Sequence, residues 1–186
     1  VAEDLAMARP SVMAAVPRRT DPRDALVTRG GLTFEALPPG AAVGTSSLRR
    51  IAQVISARSD LRPRSLRGNV DTRLGKVASG ELPAAILASA GLSRLGEARM
   101  PAGLQAVPLP LETFLPAAGQ GALGIEARKG DRRVLAWLEP LRDPAAETAT
   151  SAERALLLRL GVGCHVPLGA HASLAGPVLT LKTFLA

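Results

Sequence analysis

The stretch Gly44-Thr45-Ser46-Ser47-Leu48-Arg49-Arg50 breaks a local rule. Val43 closes a short apolar run, a turn follows, and Leu48, Ile51, Val54 and Ile55 then recur at helical spacing. The pattern predicts a strand over Ala41–Val43 and a helix over residues 46–58, capped by Thr45 or Ser46. A helix start carries partial positive charge, so acidic residues are stabilised there and cations cost energy. Two adjacent arginines fill that first turn instead. Free N–H groups, hydroxyls and two guanidinium forks at one spot make an anion receptor. The alternative is that both arginines simply point into water.

Outward from this unit, the region from about Arg18 to Pro116 alternates strands with helices. Arg64-Ser65-Leu66 reads as a strand, and Asn69 caps a helix whose Val70, Leu74 and Val77 share a face before Gly80 stops it. Pro83–Ala88 has the composition of a buried strand, followed by the short segment Leu92–Leu95. Such alternation predicts an α/β domain with a largely parallel sheet, whose ligands bind beyond the carboxyl ends of the strands. Arg49 and Arg50 follow the first strand, Arg67 and Arg73 the second, and Arg94 the third. Three successive strand ends carrying arginine point to a small polyanionic ligand, with Ser47, Ser65 and Asn69 adding neutral hydrogen bonds. Chance surface arginines are the competing explanation.

After Leu115 the glycine-rich run Pro116–Gly124 predicts a hinge between domains, with ligand contact as a secondary role. Asp131–Leu141 reads as a helix, and Asp143 caps another, entered through Pro144 and running to about Leu160. Gly161-Val162-Gly163 ends it and Cys164 follows directly. Ala170–Leu174 and Val178–Leu185 read as a hairpin around Ala175-Gly176. A lone cysteine is usually a small buried hydrophobe, but a glycine loop tends to expose a thiol as a nucleophile or attachment point.

Composition narrows the classes. With 186 residues and 47% hydrophobic content the chain fills one or two cores. The net charge of +7 invites a nucleic-acid reading, yet aromatics are 2% of the chain and tyrosine is absent, so stacking platforms are nearly missing. The excess is almost all arginine, with lysine only at Lys76, Lys129 and Lys182, which suits bidentate binding of carboxylates or phosphates. No run has the length of an uninterrupted membrane span, and Val1-Ala2-Glu3-Asp4 lacks the layout of a secretory signal. One cysteine excludes an internal disulfide framework and fits a reducing cytoplasm; His165 and His171 make no metal pattern.

The segments Asp21–Ala25, Gly44–Arg50, Arg64–Arg73, Leu115–Gly124 and Gly163–Gly169 together, in order, resemble the porphobilinogen deaminase (hydroxymethylbilane synthase) family. The resemblance implies a three-domain enzyme of tetrapyrrole (haem, chlorophyll) biosynthesis, cytoplasmic and monomeric at full length, whose first two domains resemble periplasmic binding proteins. It implies a transferase that joins four porphobilinogen molecules, with loss of ammonia, on a dipyrromethane cofactor, and releases hydroxymethylbilane by hydrolysis. Cys164 then corresponds to the cysteine holding that cofactor through a thioether. Thr45, Ser46, Ser47, Arg49 and Arg50 correspond to cofactor-binding positions, and Arg67, Arg73 and Arg94 to substrate-binding ones. Residues 1–17 would be a remnant of the first domain, 18–117 the second domain, 118–138 a return segment to the first, and 139–186 part of a small α+β third domain. The family's catalytic aspartate segment, His-Ser-x-Lys-Asp, has no counterpart here, so no catalytic residue is assigned, and Pro83 replaces an aspartate common before the third strand. The expectation is a fragment with negligible turnover on its own. The alternative is a non-catalytic module that retains the anion clamps.

Overall fold

Ala84-Ala85-Ile86-Leu87-Ala88 has no polar position, and it forms β5 near the middle of a five-stranded sheet because both its faces are covered. The computed structural model describes residues 10–96, 99–161 and 166–186. Around β5 lie β2 (Asp24–Arg29), β3 (Ala42–Gly44), β4 (Arg62–Arg64) and β6 (Leu104–Pro108), in the order β4-β3-β5-β2-β6. β3 runs parallel to β4 and β5, β2 runs against β5, and β6 against β2, so four of the five strands share one direction. The sheet is therefore mainly parallel with one reversed strand. Strands β2 and β6 carried no distinct sequence prediction.

Alternate residues of β2 and β5 divide between two cores. Ala25, Val27, Ala85 and Leu87 face Leu74, Val77 and Leu92, which come from α2 (Val70–Ala78) and α3 (Ser89–Leu95). Leu26, Ala84 and Ile86 face Val43, Val54, Phe34 and Phe114, with Val54 supplied by α1 (Leu48–Ala57). The two phenylalanine rings meet edge to face at 4.9 Å.

Several predicted bounds shift for identifiable reasons. The first helix starts at Leu48 and Ser47 is its cap, accepting from the Arg50 N–H, instead of Thr45 or Ser46. Ser46 is taken elsewhere: its hydroxyl donates to the Leu66 carbonyl and accepts from the Leu66 N–H, both at 3.0 Å. That bond also keeps Leu66 out of β4, which is the short edge strand Arg62-Pro63-Arg64, where a proline is tolerated. Asn69 caps α2 as predicted, its side chain accepting from the Thr72 N–H at 2.8 Å.

Beyond this sheet, β1 (Ser11–Ala15) pairs antiparallel with β7 (Ile125–Arg128) in a sheet of their own. α4 (Arg132–Leu138) buries none of its residues and a 3-10 turn over Glu139–Leu141 completes the predicted 131–141 helix. α5 (Pro144–Leu160) is capped by Asp143 and ends at Gly161 in the left-handed region, as the sequence predicts. Its buried face is Ala146, Ala149, Thr150 and Glu153. β8 (Leu168–Ala175) and β9 (Val178–Leu185) form the predicted hairpin, with β8 burying Leu168, Ala170 and Ala172. No helix among the described residues is long and apolar enough to cross a membrane.

Candidate functional site

Because β3, β4 and β5 run parallel, the loops that follow them leave the sheet along one edge. That topology alone places Arg49 and Arg50, Arg67 and Arg73, and Arg94 on the same side of the domain. Their surroundings differ sharply.

Arg49 and Arg50 are buried, while Leu48 and Ile55, two of the four residues at helical spacing, are each 49% exposed. The alternative that both arginines point into water is therefore excluded: the guanidiniums go in and two of the four aliphatics go out. The cause is Asp24, the first residue of β2, whose side chain is fully buried. Arg49 Nη1 donates to Asp24 Oδ2 at 2.7 Å, and Arg50 Nη2 and Nε donate to Asp24 Oδ1 at 2.7 and 3.1 Å. Arg49 Nη1 also donates to the Leu115 carbonyl at 2.6 Å, and Arg50 Nη1 to the Ile86 carbonyl at 3.1 Å. Burial alone would push the Asp24 carboxyl up. The two guanidiniums outweigh it through charge and hydrogen bonds and hold the group below the usual carboxylate range. Gln53 fixes the same corner, accepting from the Leu115 N–H at 2.6 Å and donating back to its carbonyl at 3.1 Å.

The other predicted residues spread along the edge. Thr45 is buried, and its hydroxyl accepts from the Ser47 N–H at 3.2 Å. Ser46 and Ser65 hydroxyls lie 3.1 Å apart. Arg67 is exposed, without a hydrogen-bond partner among the described residues, and Arg73 Nε donates to the Gly68 carbonyl at 2.8 Å. Arg94 turns instead to the glycine-rich segment, donating to the Gly121 carbonyl at 3.0 Å. Ser47 and Arg49 line a cavity of about 220 Å³ with Ala117, Ala118, Leu157, Val166 and Leu168. Cys164 and His165 lie outside the described residues. Among the described residues no histidine, cysteine and carboxylate cluster is placed to hold a metal ion.

Two residues that hold this region together escaped the sequence reading. Glu153, fully buried on α5, accepts from Arg19 Nη1 and Nη2 at 2.7 and 3.1 Å, from the Gly119 N–H at 2.6 Å and from the Ala172 N–H at 2.7 Å. Gln120 accepts from Arg49 and donates to Asp24 and to the Pro22 carbonyl. A signal for Glu153 did exist: it extends the small-residue stripe Ala146, Ala149, Thr150, where a charge needs a buried partner. Gly121 explains why the run is glycine-rich at this point. Its φ is +86°, and a Cβ there would sit 2.6 Å from the Thr20 carbonyl oxygen.

Half-buried His171 lies beside this junction, and burial, then the Arg19 charge, pushes its imidazole below the usual value. A histidine with a lowered folded value binds fewer protons when folded, so stability falls as pH drops through the window beneath 6.5. Thermal midpoints of the wild type are expected to fall between about pH 7 and pH 5.5, and His171→Gln to remove that part of the slope. Parallel slopes in the two proteins would overturn the assignment.

Residues 2–136 match the family described as porphobilinogen deaminase, dipyromethane cofactor binding domain, and residues 148–186 the porphobilinogen deaminase C-terminal domain. The chain is 52% identical over 182 residues to a porphobilinogen deaminase of Roseiflexus castenholzii, covering 97% of this chain and 59% of that one. With the protein of the same name from Burkholderia thailandensis it shares 51% over 181 residues, covering 96% and 54%. The chain thus spans little more than half the length of these relatives. Among solved structures, the glutathione-import protein study of Streptococcus mutans gives a TM-score of 0.43 at 9% identity, covering 86% of this chain and 61% of that one. An ancestral arginine-binding protein bound to glutamine gives 0.41 at 18%, covering 68% and 55%. Scores at that level leave the fold description to the strand order above. On the family match across residues 2–136 and 148–186, the chain belongs to the porphobilinogen deaminase family.

Proposed function

We propose that this chain carries the cofactor- and substrate-binding half of a hydroxymethylbilane synthase, a transferase that condenses four porphobilinogen molecules with release of ammonia. The observation that carries the reading is the single edge on which guanidiniums and hydroxyls follow three parallel strands. Porphobilinogen and a dipyrromethane both carry carboxylate side chains on flat pyrrole rings. Arginine forks and serine hydroxyls suit the carboxylates, and the Ala117, Ala118, Leu157 and Leu168 walls suit the rings. The residues present therefore fit the cofactor in kind. When bound, the dipyrromethane would supply the free pyrrole α-carbon to which the first porphobilinogen is joined.

In this reading the chain's residues bind and orient. Arg49, with Thr45, Ser46, Ser47 and Arg50 around it, would hold cofactor carboxylates, and Cys164 would provide the thioether. Arg67, Arg73 and Arg94 would receive the carboxylates of incoming porphobilinogen, fixing ring orientation as well as neutralising charge. Arg67 has the freest hand, being exposed and unengaged among the described residues. Arg49 and Arg50 already neutralise Asp24, so they offer the charge remaining after one carboxylate is matched by two guanidiniums. The pairing of β1 with β7 supports grouping residues 1–17 with 118–138, apart from the 18–117 domain and the 139–186 unit. A monomeric cytoplasmic protein belongs to the same proposal.

The test is the intact mass of the chain purified under denaturing conditions after exposure to porphobilinogen. The expected result is a mass above 19.2 kDa, with the excess on the Cys164 peptide and absent from Cys164→Ser. Porphobilinogen binding with the bare mass would favour the non-catalytic anion-binding module. A bare mass with no binding would overturn both.

A further inference from the structure

We infer that Gln120 is a positioning residue for Arg49, holding its guanidinium toward the cavity without consuming its charge; this rests on the reading above that Arg49 receives a ligand carboxylate. Arg49 Nη1 is pinned by Asp24 and the Leu115 carbonyl at 2.7 and 2.6 Å. A fork pinned at one nitrogen still pivots about it. Nη2 has only long contacts, 3.4 Å to Asp24 Oδ1 and 3.3 Å to Gln120 Oε1, so Gln120 is the second point that sets the plane.

The orientation of the Gln120 amide is fixed by its partners. Nε2 donates to the Pro22 carbonyl at 2.7 Å and to Asp24 Oδ1 at 2.9 Å. Both are acceptors only, so the amide oxygen has to face Arg49. The backbone behind it is held equally firmly. The Gln120 carbonyl accepts from Arg19 Nε at 2.9 Å, and the Gly121 carbonyl accepts from the Thr20 N–H at 3.2 Å and Arg94 Nη2 at 3.0 Å. Gln120 therefore has no room to retreat when Arg49 is pulled toward a ligand.

Its neutrality matters as much as its shape. Asp24 against Arg49 and Arg50 leaves one positive charge in excess, and that excess attracts a carboxylate. An amide donates to Asp24 and accepts from Arg49 while leaving the balance untouched. A carboxylate at the same position would cancel the excess and would also stand beside Asp24, adding like-charge repulsion.

The experiment titrates the 186-residue chain with porphobilinogen across pH, comparing wild type, Gln120→Glu and Gln120→Leu, with thermal midpoints confirming folding. Gln120→Glu is expected to bind about tenfold more weakly than wild type near pH 8. The ratio should close as pH falls far enough for the introduced carboxyl to take up a proton. Gln120→Leu should weaken binding by a ratio that does not change with pH, and Gln120→Asn replaces it if the leucine variant does not fold. Binding by Gln120→Glu no weaker than by Gln120→Leu, or wild-type binding in every variant, would overturn the inference. Side-chain NMR of Arg49 decides the point even without binding. Separate terminal N–H signals in wild type that average in Gln120→Leu support the positioning role, and identical signals in both refute it. Failure of the wild type to bind porphobilinogen would instead count against the function proposed above.

Discussion

Asp24→Ala is expected to destabilise the protein by about 3–5 kcal/mol, because it strands two buried guanidiniums at once. Asp24 is the only carboxylate that Arg49 and Arg50 touch among the described residues, at 2.7 Å from each. A domain stable by about 5–15 kcal/mol would lose a large share of its margin. Urea unfolding of the variant checks the figure. Asp24→Asn keeps the size and one acceptor oxygen, so it should cost less. In the double variant Asp24→Ala/Arg49→Ala the combined loss should fall well short of the sum, since the second change removes a charge the first left unpaired. Strict additivity would mean that the two groups do not depend on each other.

The same pair predicts an acid limb. The Asp24 carboxyl is held below its ordinary value in the fold, so its contribution is complete above the unfolded carboxylate value near 3.8. It is lost as pH falls through the lower, folded value. In Asp24→Asn that part of the acid dependence should vanish, while the His171 slope at higher pH remains.

The second large effect is expected at Glu153. Glu153→Ala leaves Arg19 without its carboxylate and leaves the Gly119 and Ala172 N–H groups without an acceptor. Loss of a buried ion pair with two backbone bonds is expected to cost about 3–5 kcal/mol. The damage has a location as well as a size. Glu153 ties α5 to residue 19, to the 116–122 segment and to β8, so amide exchange should rise first at Gly119 and Ala172 and then along the junction. Glu153→Gln keeps an acceptor for one of those amides and should recover part of the loss. Uniform exchange across the whole chain, with no excess at the junction, would show that Glu153 is an ordinary core group.

Both residues sit where sequence reading was weakest. Repeating units were legible because their causes are local. Asn69 and Asp143 cap helices through hydrogen bonds to N–H groups three residues on, and Gly80 and Gly161 end them with positive φ. The apolar run 83–88 announced a buried strand, and the β8–β9 hairpin was visible around the turn Ala175-Gly176. Cysteine, histidine and aromatic counts bounded the chemistry, and the order of five motifs led to the family.

What lay beyond local pattern was the direction of side chains whose partners are distant in the chain. The spacing of Leu48, Ile51, Val54 and Ile55 marks a helix correctly, yet it does not say that Arg49 and Arg50 face inward. That choice belongs to Asp24, some 25 residues earlier and on the reversed strand β2, which no local periodicity marked as a strand. Burying a guanidinium is unfavourable alone and acceptable beside a carboxylate, so its orientation is a property of the pair. Gln120 and Glu153 follow the same logic, Gln120 through groups from two separate segments and Glu153 through groups from three. The sequence by itself determined the family, the helices and the caps of two of them, and some of the strands. Only the tertiary structure decided which charges meet, because electrostatic pairing depends on distance in space and local periodicity carries no record of it.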